Sequence, residues 1–387
     1  SRKRDKRVYK MSERIKLGIN YQVGDNWVGG KYYLVNLAKA LKKLNEKDKP
    51  VIYLIAPSRK SFEEFVKETG YQPIIFYKIA KIFRWKESIL SFFNKVTGIN
   101  LSKKIFDVVY PNPNPQVAQK SKKNLFWIPD FQEIHYPQFF STDDLKKRKE
   151  FVKNIVDDGH SLVLSSESAK KDFLTLYPDS SIKLSVLPFA VSNKDVQFLS
   201  EDEICEKYGI NKRYFSLPNQ FWVHKNHSVV FKAVKYLKKR YPDIQVVCTG
   251  KEFDHRDTEY PSKLKKFIAE NNLEQNIRML GFIDRTDQLS ILKNSIALIQ
   301  PSLFEGWNTS IEEAKSMDKF IIASDIDVHR EQLKDMESDL FKADDENALG
   351  RILEKIWTSE TKIIKNNYEK NMFEFADNFL RIIKELQ

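Results

Sequence analysis

Two glutamates spaced eight residues apart, Glu305 and Glu313, are the first candidates for chemistry in this sequence. They flank a segment in which a strand pattern ends at Pro301 and a helical pattern begins near Ser310. The free N–H groups and the dipole at a helix start favour anions such as a diphosphate. The spacing therefore predicts two carboxylates that face a ligand at this helix start. The structural alternative is a capping box formed by Ser310 and Glu313.

A second strand-to-helix turn runs from Leu217 to His227 and contains Gln220 and Lys225. A lysine at such a turn is a compact charge that can bind phosphate, and the polar side chains beside it can contact a nucleotide or a sugar. The alternative is that Lys225 is a solvated loop lysine. Because two turns of this kind occur in one half of the chain, we favour the phosphate-binding role.

Both turns belong to a long alternation of strand and helix patterns. Strand patterns recur between residues 15 and 189 and again between residues 214 and 325, with helical patterns in most of the intervals. Such alternation is typical of parallel sheets with helices on both faces. It predicts two doubly wound, Rossmann-like α/β domains, at residues 1–190 and 191–367. Ligands of such sheets bind at the carboxyl ends of the strands, so we expect the site in the cleft between the domains.

Length and charge fit this architecture. A chain of 387 residues is long enough for two domains, and its apolar runs are far shorter than the roughly 20 residues that cross a bilayer. The net charge of +12, half of it in residues 1–16, favours anionic partners, although no nucleic-acid-binding module accompanies it. Two isolated cysteines exclude a disulfide framework, and we expect a cytoplasmic protein. Met11 leaves open whether residues 1–10 are native, an added segment or the end of an upstream region.

Taken together, these segments resemble the retaining GT-B glycosyltransferases of the large family-4 type, the group 1 glycosyltransferases. The resemblance rests on Glu305 to Glu313 as the family's E-x7-E, on residues 220–225 as its phosphate loop, and on Gly29-Gly30 as its glycine loop. Further similarity lies at residues 165–172 and 324–331. It implies an N-terminal acceptor domain, completed by the last helix at about 368–387, and a C-terminal donor domain.

The resemblance also implies a role for each matching residue. Glu305 would bind hydroxyls of the donor sugar near the reaction centre, and Glu313 would bind the nucleotide ribose. Lys225 and the amides around the helix start would hold the diphosphate, so that neither a metal nor another cofactor is expected. The implied donor-binding set is Gly30, Gln220, Lys225, Phe282, Ile283, Asn308, Thr309, Ser310 and Glu313.

The sequence departs from the family pattern at two places. Gln220 stands where the family usually has an arginine, which leaves Lys225 as the only cation that we expect on the diphosphate. The family's His-Asp pair appears as Pro129-Asp130, so Asp130 keeps its place and His135 could stand nearby. The predicted catalytic residues are therefore Glu305, Asp130 and His135.

Two further patterns concern metal ions and membranes. Asp325 and Asp327 match the D-x-D metal motif of another glycosyltransferase fold, but they directly follow a strand of the second domain, so we reject a metal site there. Residues 77–95 read as a basic and aromatic helix that could lie on an anionic membrane, and an ordinary solvated surface helix is the alternative.

The leading hypothesis is a retaining transfer of a hexose from a UDP- or GDP-sugar to a glycan or lipid-linked glycan acceptor, in surface polysaccharide synthesis. Such an enzyme would be cytoplasmic, with a peripheral position at the inner face of the cell membrane as an alternative. One competing function is a nucleotide-sugar epimerase of the same fold, which would turn over the donor alone. Another is a catalytically weak nucleotide- or glycan-binding module, because of the losses at Gln220 and Pro129.

Overall fold

The computed structural model describes residues 14–22, 28–78, 104–254 and 256–387. Within these ranges the chain forms two parallel β-sheets, each with helices packed against it. The basic helix predicted at residues 77–95 lies almost entirely outside the described residues. Among the helices that are described, none is long and apolar enough to cross a membrane.

The first sheet runs from residue 16 to residue 186 and has the strand order β3-β2-β1-β4-β5-β6-β7, with all pairs parallel. Its strands are β1 (Lys16–Asn20), β2 (Val51–Ile55), β3 (Ile74–Tyr77), β4 (Phe106–Tyr110), β5 (Ser121–Ile128), β6 (Ser161–Leu164) and β7 (Leu184–Val186). The helices between them are α1 (Val28–Leu41), α2 (Arg59–Thr69), α3 (Pro115–Ala118), α4 (Gln132–His135), α5 (Thr142–Asp157) and α6 (Glu167–Leu176). This sheet and its helices are the N-terminal lobe.

The second sheet has the order β10-β9-β8-β11-β12-β13, again parallel throughout. Its strands are β8 (Phe215–Leu217), β9 (Val246–Cys248), β10 (Ile277–Met279), β11 (Ala297–Gln300), β12 (Phe320–Ser324) and β13 (Ser338–Phe341). The helices of this C-terminal lobe are α7 (Glu201–Tyr208), α8 (His227–Leu237), α9 (Tyr260–Glu270), α10 (Arg285–Asn294), α11 (Thr309–Ser316), α12 (Asp327–Leu333) and α13 (Glu346–Trp357). The sequence analysis missed β13, because this short edge strand begins with two polar residues.

The last helix, α14 (Tyr368–Lys384), returns to the N-terminal lobe and packs against α1. Its apolar face carries Met372, Phe375 and Phe379, each at most 1% exposed within the core of the first sheet. Full burial of each such side chain contributes about 1.5–3 kcal/mol, which is ample to fix a helix in place. The domain limits at residues 190 and 367 stay a prediction.

Candidate active site

The turn after β11 leads into α11, and Asn308 is the N-cap of that helix. The Asn308 side chain accepts a hydrogen bond from the Ile311 N–H at 3.0 Å, and Thr309 and Ser310 occupy the first two helical positions. Such a cap satisfies one of the free N–H groups at a helix start. The capping box between Ser310 and Glu313 is therefore wrong. The helix still begins at the carboxyl edge of the sheet, where its dipole favours an anion.

Glu305 lies in the same turn and is held by two side chains of the C-terminal lobe. Its Oε1 accepts hydrogen bonds from Lys225 Nζ at 2.6 Å and from Gln300 Nε2 at 3.3 Å. The side chains of Lys225 and Glu305 are only 14% and 10% exposed. The alternative of a solvated loop lysine is therefore wrong. Removal of one partner of a nearly buried ion pair destabilises a protein, because the other charge is left unpaired. The Glu305 carboxylate is therefore held in place beside Lys225.

Glu313, the second glutamate of the pair, has a different partner. The Glu313 side chain is 3% exposed and forms an ion pair with Arg285, the first residue of α10. The guanidinium of Arg285 also lies over the ring of Tyr32, a residue of α1, at 4.8 Å from the ring centroid. Burial alone would lower the pKa of Arg285, but the Glu313 carboxylate outweighs it and raises this pKa. Arg285 therefore stays charged and links the two lobes.

A cavity of about 390 Å³ opens beside this ion pair. It is lined by turns that follow β8, β9, β10 and β11, together with residues of α1 from the N-terminal lobe. The predicted donor-binding residues that line it are Gln220, Phe282, Ile283, Thr309, Ser310 and Glu313. Phe282 is 78% exposed, so its ring is free to stack on a planar ligand.

Three members of the predicted donor set lie elsewhere. Lys225 contacts Glu305, and Asn308 caps the start of α11; neither side chain lines the cavity. Gly30 is buried in the first turn of α1, whereas its neighbour Gly29 lines the cavity.

The cavity also contains two cations that the sequence analysis missed, Lys251 and Arg285. The C-terminal lobe thus places two further cations at the cavity, and the role of Lys225 as the diphosphate-binding cation of this lobe stays a prediction. A signal was present for Arg285, because it follows the N-cap residue Asp284 in a third strand-to-helix turn. Since Phe282 and Ile283 of that turn belong to the donor-binding set that the resemblance implies, the turn's cation was a candidate as well.

A glycine allows two of these turns to approach each other closely. Gly250 has φ 151°, and a Cβ atom at this position would lie 2.2 Å from the Asn219 carbonyl oxygen and 2.8 Å from Gln220 Cα. The Gly250 N–H donates to the Gly281 carbonyl at 2.8 Å. Any side chain at position 250 would thus displace the turn that carries Gln220.

Across the cleft, Asp130 follows β5 of the N-terminal lobe. Its Oδ1 accepts a hydrogen bond from the Gln132 N–H at 3.1 Å. Burial raises the pKa of the Asp130 carboxyl, and the nearby Glu305 carboxylate adds to this shift. The close approach depends on Gly306, where a Cβ atom would lie 2.5 Å from the Pro129 carbonyl oxygen and 2.9 Å from Asp130 Cβ. The structure thus brings the predicted residues Asp130 and Glu305 to opposite sides of one narrow gap.

His135 lies at the end of α4, at the mouth of the cleft. Its Nε2 is 2.9 Å from Asp172 Oδ2, and its ring centroid is 5.1 Å from that of Phe304, the neighbour of Glu305. The side chain is 43% exposed. His135 thus borders the Glu305 turn, but the carboxylate that it contacts is Asp172, which the sequence analysis did not consider.

The described residues contain no group of three or more His, Cys, Asp or Glu side chains that could hold a metal ion. The two carboxylates of the rejected D-x-D motif both contact Arg330, at 2.6 Å for Asp325 and 2.9 Å for Asp327. Metal-independent chemistry stays a prediction.

Comparison with known proteins points to one family. Residues 200–374 match the family described as glycosyl transferases group 1. The chain is 30% identical over 172 residues to the UDP-Gal:alpha-D-GlcNAc-diphosphoundecaprenol alpha-1,3-galactosyltransferase of Escherichia coli, which covers 43% of this chain and 42% of that protein. It is 26% identical over 206 residues to the O-antigen chain mannosyltransferase RfbU of Salmonella typhimurium, which covers 53% of each chain. The chain thus spans about half the length of the curated relatives it matches.

Solved structures extend the similarity of fold over the whole chain. A glycosyltransferase from Rickettsia africae superposes with a TM-score of 0.65 at 19% identity, covering 97% of this chain and 99% of the other. Anabaena HepE, in complex with UDP and glucose, gives a TM-score of 0.64 at 14% identity, covering 96% and 95%. The predicted GT-B fold and the resemblance to the group 1 glycosyltransferases are confirmed.

Proposed function

We propose that this chain is a retaining, metal-independent glycosyltransferase. It transfers a hexose from a UDP- or GDP-sugar to a glycan or lipid-linked glycan acceptor in surface polysaccharide synthesis. Two proteins to which the chain is similar, a galactosyltransferase and an O-antigen mannosyltransferase, support this class of reaction and acceptor. The retention at the anomeric carbon follows from the resemblance to the family.

One observation carries the proposal. The cavity that collects most of the predicted donor-binding residues lies on the same strand-to-helix turns as Glu305, and Glu305 faces Asp130 across the cleft. A nucleotide in this cavity would place its base at Phe282 and Ile283 and its ribose at Glu313. Its diphosphate would then meet the start of α11.

The charges around the cavity suit a departing nucleoside diphosphate. Negative charge develops on the leaving group during glycosyl transfer, and preorganised donors lower the energy of that state. Lys251, Arg285 and the first turn of α11 supply such groups from the cavity wall. Glu305 would bind hydroxyls of the donor sugar, and Lys225 holds its carboxylate in place at 2.6 Å.

Binding and turnover test the proposal together. UDP, GDP, ADP and their hexose conjugates are compared by thermal shift, because a ligand at ~100 times its dissociation constant stabilises the folded state by about 2.7 kcal/mol. Donor consumption is then followed with and without an undecaprenyl-diphosphate-linked sugar. We expect stabilisation by one nucleotide class and transfer that persists in EDTA. Loss of transfer in EDTA that Mn²⁺ or Mg²⁺ restores would overturn metal independence.

The same assay separates the competing functions. Conversion of the donor to an isomeric nucleotide sugar without acceptor would identify an epimerase. Stabilisation by a nucleotide without any transfer would identify a binding module. We also propose that the protein works in the cytoplasm, at the inner face of the membrane that holds a lipid-linked acceptor, and sedimentation with anionic vesicles tests this position.

A further inference from the structure

A short aromatic segment of the N-terminal lobe, residues 136–140, crosses to the C-terminal lobe. The Tyr136 hydroxyl donates to the Leu303 carbonyl at 3.3 Å. The Phe139 ring centroid lies 6.4 Å from that of His224, a residue of the turn before α8. The segment therefore places N-terminal side chains against the same C-terminal turn that carries Lys225.

Two arginines from opposite lobes share the ring of Phe140, the last residue of this segment. The Arg148 guanidinium, on α5, lies 4.7 Å from the ring centroid, and the Arg256 guanidinium, between β9 and α9, lies 5.6 Å from it. Burial and the charge of Arg148 lower the pKa of Arg256, although Asp254 and Asp130 oppose this shift.

Among the residues that the structure describes, the charge of Arg256 has no direct counter-ion. Its Nη1 lies 2.8 Å from Nδ1 of His224, a buried ring whose pKa is lowered well below its ordinary value, first by burial. The Nη1 group therefore donates to a neutral acceptor. Within the described residues, no carboxylate lies within ion-pair distance of Arg256, and its buried Nε has no hydrogen-bond partner.

The nearest acid, Asp254, is already committed to the backbone. Its two carboxylate oxygens accept hydrogen bonds from the Val223 N–H at 2.8 Å and from the Arg256 N–H at 3.0 Å. The Arg256 side chain instead lies over the Trp222 ring, at 4.9 Å from the centroid. A guanidinium held between aromatic faces keeps its planar donors available for a ligand.

Arg148 connects this pair to the reaction centre. Its Nη1 donates to Glu133 at 3.1 Å, and Arg148, Glu133 and Asp130 line one cavity of about 370 Å³. Phe151 and Trp127 contribute apolar surface to the same cavity. This cavity lies on the N-terminal side of the cleft, where an acceptor would approach Asp130.

We propose that Arg148 and Arg256 together bind a phosphate or diphosphate group of the acceptor, and that this group bridges the two lobes. The inference rests on the proposed function, since it assigns the acceptor of that reaction to an anionic class. Guanidinium groups form paired, charge-assisted hydrogen bonds to phosphate oxygens, and a group with two negative charges can neutralise two cations that lie at the same ring.

The test uses inorganic pyrophosphate as a probe of the acceptor site. The protein is first saturated with UDP or GDP, so that the donor cavity is filled, and pyrophosphate is then titrated by calorimetry. The variants are Arg148→Gln, Arg256→Gln and Arg256→Lys, and Arg240→Gln is the control because Arg240 pairs with Glu354 at the surface. We expect Arg148→Gln and Arg256→Gln each to lower the affinity for pyrophosphate by about tenfold, and Arg256→Lys to lower this affinity less.

Each outcome bears on one of the two proposals. Pyrophosphate binding that is absent in the wild type, or that survives both glutamine variants, overturns the acceptor site. Binding that weakens equally in Arg240→Gln also overturns it, because the effect would then be one of net charge. A failure of every nucleoside diphosphate to bind instead counts against the proposed donor cavity, and pyrophosphate titration of the nucleotide-free protein still tests the arginines.

Discussion

The proposed donor side of the cleft, on the C-terminal lobe, and the proposed acceptor side, on the N-terminal lobe, hold their charged groups in different ways. On the donor side, Glu305 and Glu313 are both nearly buried, and each forms an ion pair with a cation of its own lobe, Lys225 or Arg285. On the acceptor side, Asp130 is held by one backbone N–H, and the ion pair of Arg148 with Glu133 is more open to solvent, since the Arg148 side chain is 45% exposed.

The donor side is therefore prearranged within one lobe, whereas the acceptor side forms across the gap between the two lobes. Ion pairs within a single lobe keep their geometry whether the cleft is open or closed. The acceptor side instead depends on contacts between lobes, such as that of Gly306 with Pro129 and that of Phe140 with Arg256. Substitutions on the donor side should therefore change nucleotide binding or chemistry, and substitutions at the lobe contacts should change transfer alone.

The largest effect is expected for Glu305→Gln. The variant removes the charge beside the reaction centre, and we expect transfer to fall by at least ~100-fold, since polar stabilisation there is typically worth several kcal/mol. The fold and nucleotide affinity should persist, because glutamine keeps an oxygen that can accept from Lys225. Turnover and thermal shift are measured in parallel, with Glu354→Gln as the control because Glu354 pairs with Arg240 at the surface. Unchanged turnover would remove Glu305 from the site.

The next effect tests the lobe contact itself through Gly306→Ala. The new methyl group would meet the Pro129 carbonyl oxygen at 2.5 Å, so the lobes must separate slightly. We expect transfer to fall by about tenfold or more, because small displacements of reacting groups are costly, while nucleotide affinity stays the same. Gly350→Ala is the matched control, since a Cβ atom at position 350 meets nothing within 4 Å. Equal losses of nucleotide affinity and transfer would contradict this division between the two sides.

A smaller effect distinguishes the two cations of the donor side. Arg285→Gln should lower the affinity for the nucleoside diphosphate by about tenfold, because it removes a charged group from the cavity wall and leaves Glu313 unpaired. Lys225→Ala should also weaken nucleotide binding, but less, since Lys225 contacts Glu305 and does not line the cavity. Calorimetric titration of UDP and GDP measures both. The surface variant Arg330→Gln serves as the control, and a greater loss in Lys225→Ala would restore Lys225 as the main diphosphate cation.

Local sequence patterns predicted where the turns of the C-terminal lobe lie. Buried parallel strands are continuous apolar runs, and the turns that follow them must meet at one edge of the sheet. The positions of Gln220 and Ser310 around one cavity follow from that rule, whereas Phe282 was named only through the family resemblance. The Asn308 cap did not follow, because both Asn308 and Ser310 can begin a helix and only the backbone distinguishes them.

The acceptor side was harder to predict because its contacts depend on how the lobes face each other. Nothing in the sequence near Arg256 indicates that Arg148 shares Phe140 with it, and the two arginines lie more than a hundred positions apart. The partner of His135 is likewise distant in sequence, since Asp172 belongs to α6. Such pairs become visible only once both sheets are placed.

The smallest expected effect concerns Gln220, where the sequence departs from the pattern of the family that it resembles, at a position that usually carries a charge. Gln220 lines the donor cavity, and Gly250 packs against its backbone, so its side chain emerges from a rigid turn. Gln220→Arg should raise the affinity for the nucleoside diphosphate by about threefold, because a guanidinium adds charge-assisted hydrogen bonds to phosphate. The gain should be modest because Arg285 and Lys251 already supply positive charge to the cavity.

Calorimetric titration of UDP and GDP at two salt concentrations checks this, since salt screens exposed charges more strongly than buried ones. Gln220→Glu is the control of opposite sign and should weaken binding. If Gln220→Arg also weakens nucleotide binding, the charge at position 220 does not determine the affinity. Glutamine would then make a specific neutral contact, and the loss of the family's arginine would be an adaptation to one donor. In that case the donor side would owe its diphosphate affinity to Arg285, a residue that also contacts Tyr32 of the other lobe, and nucleotide binding would itself favour closure of the cleft.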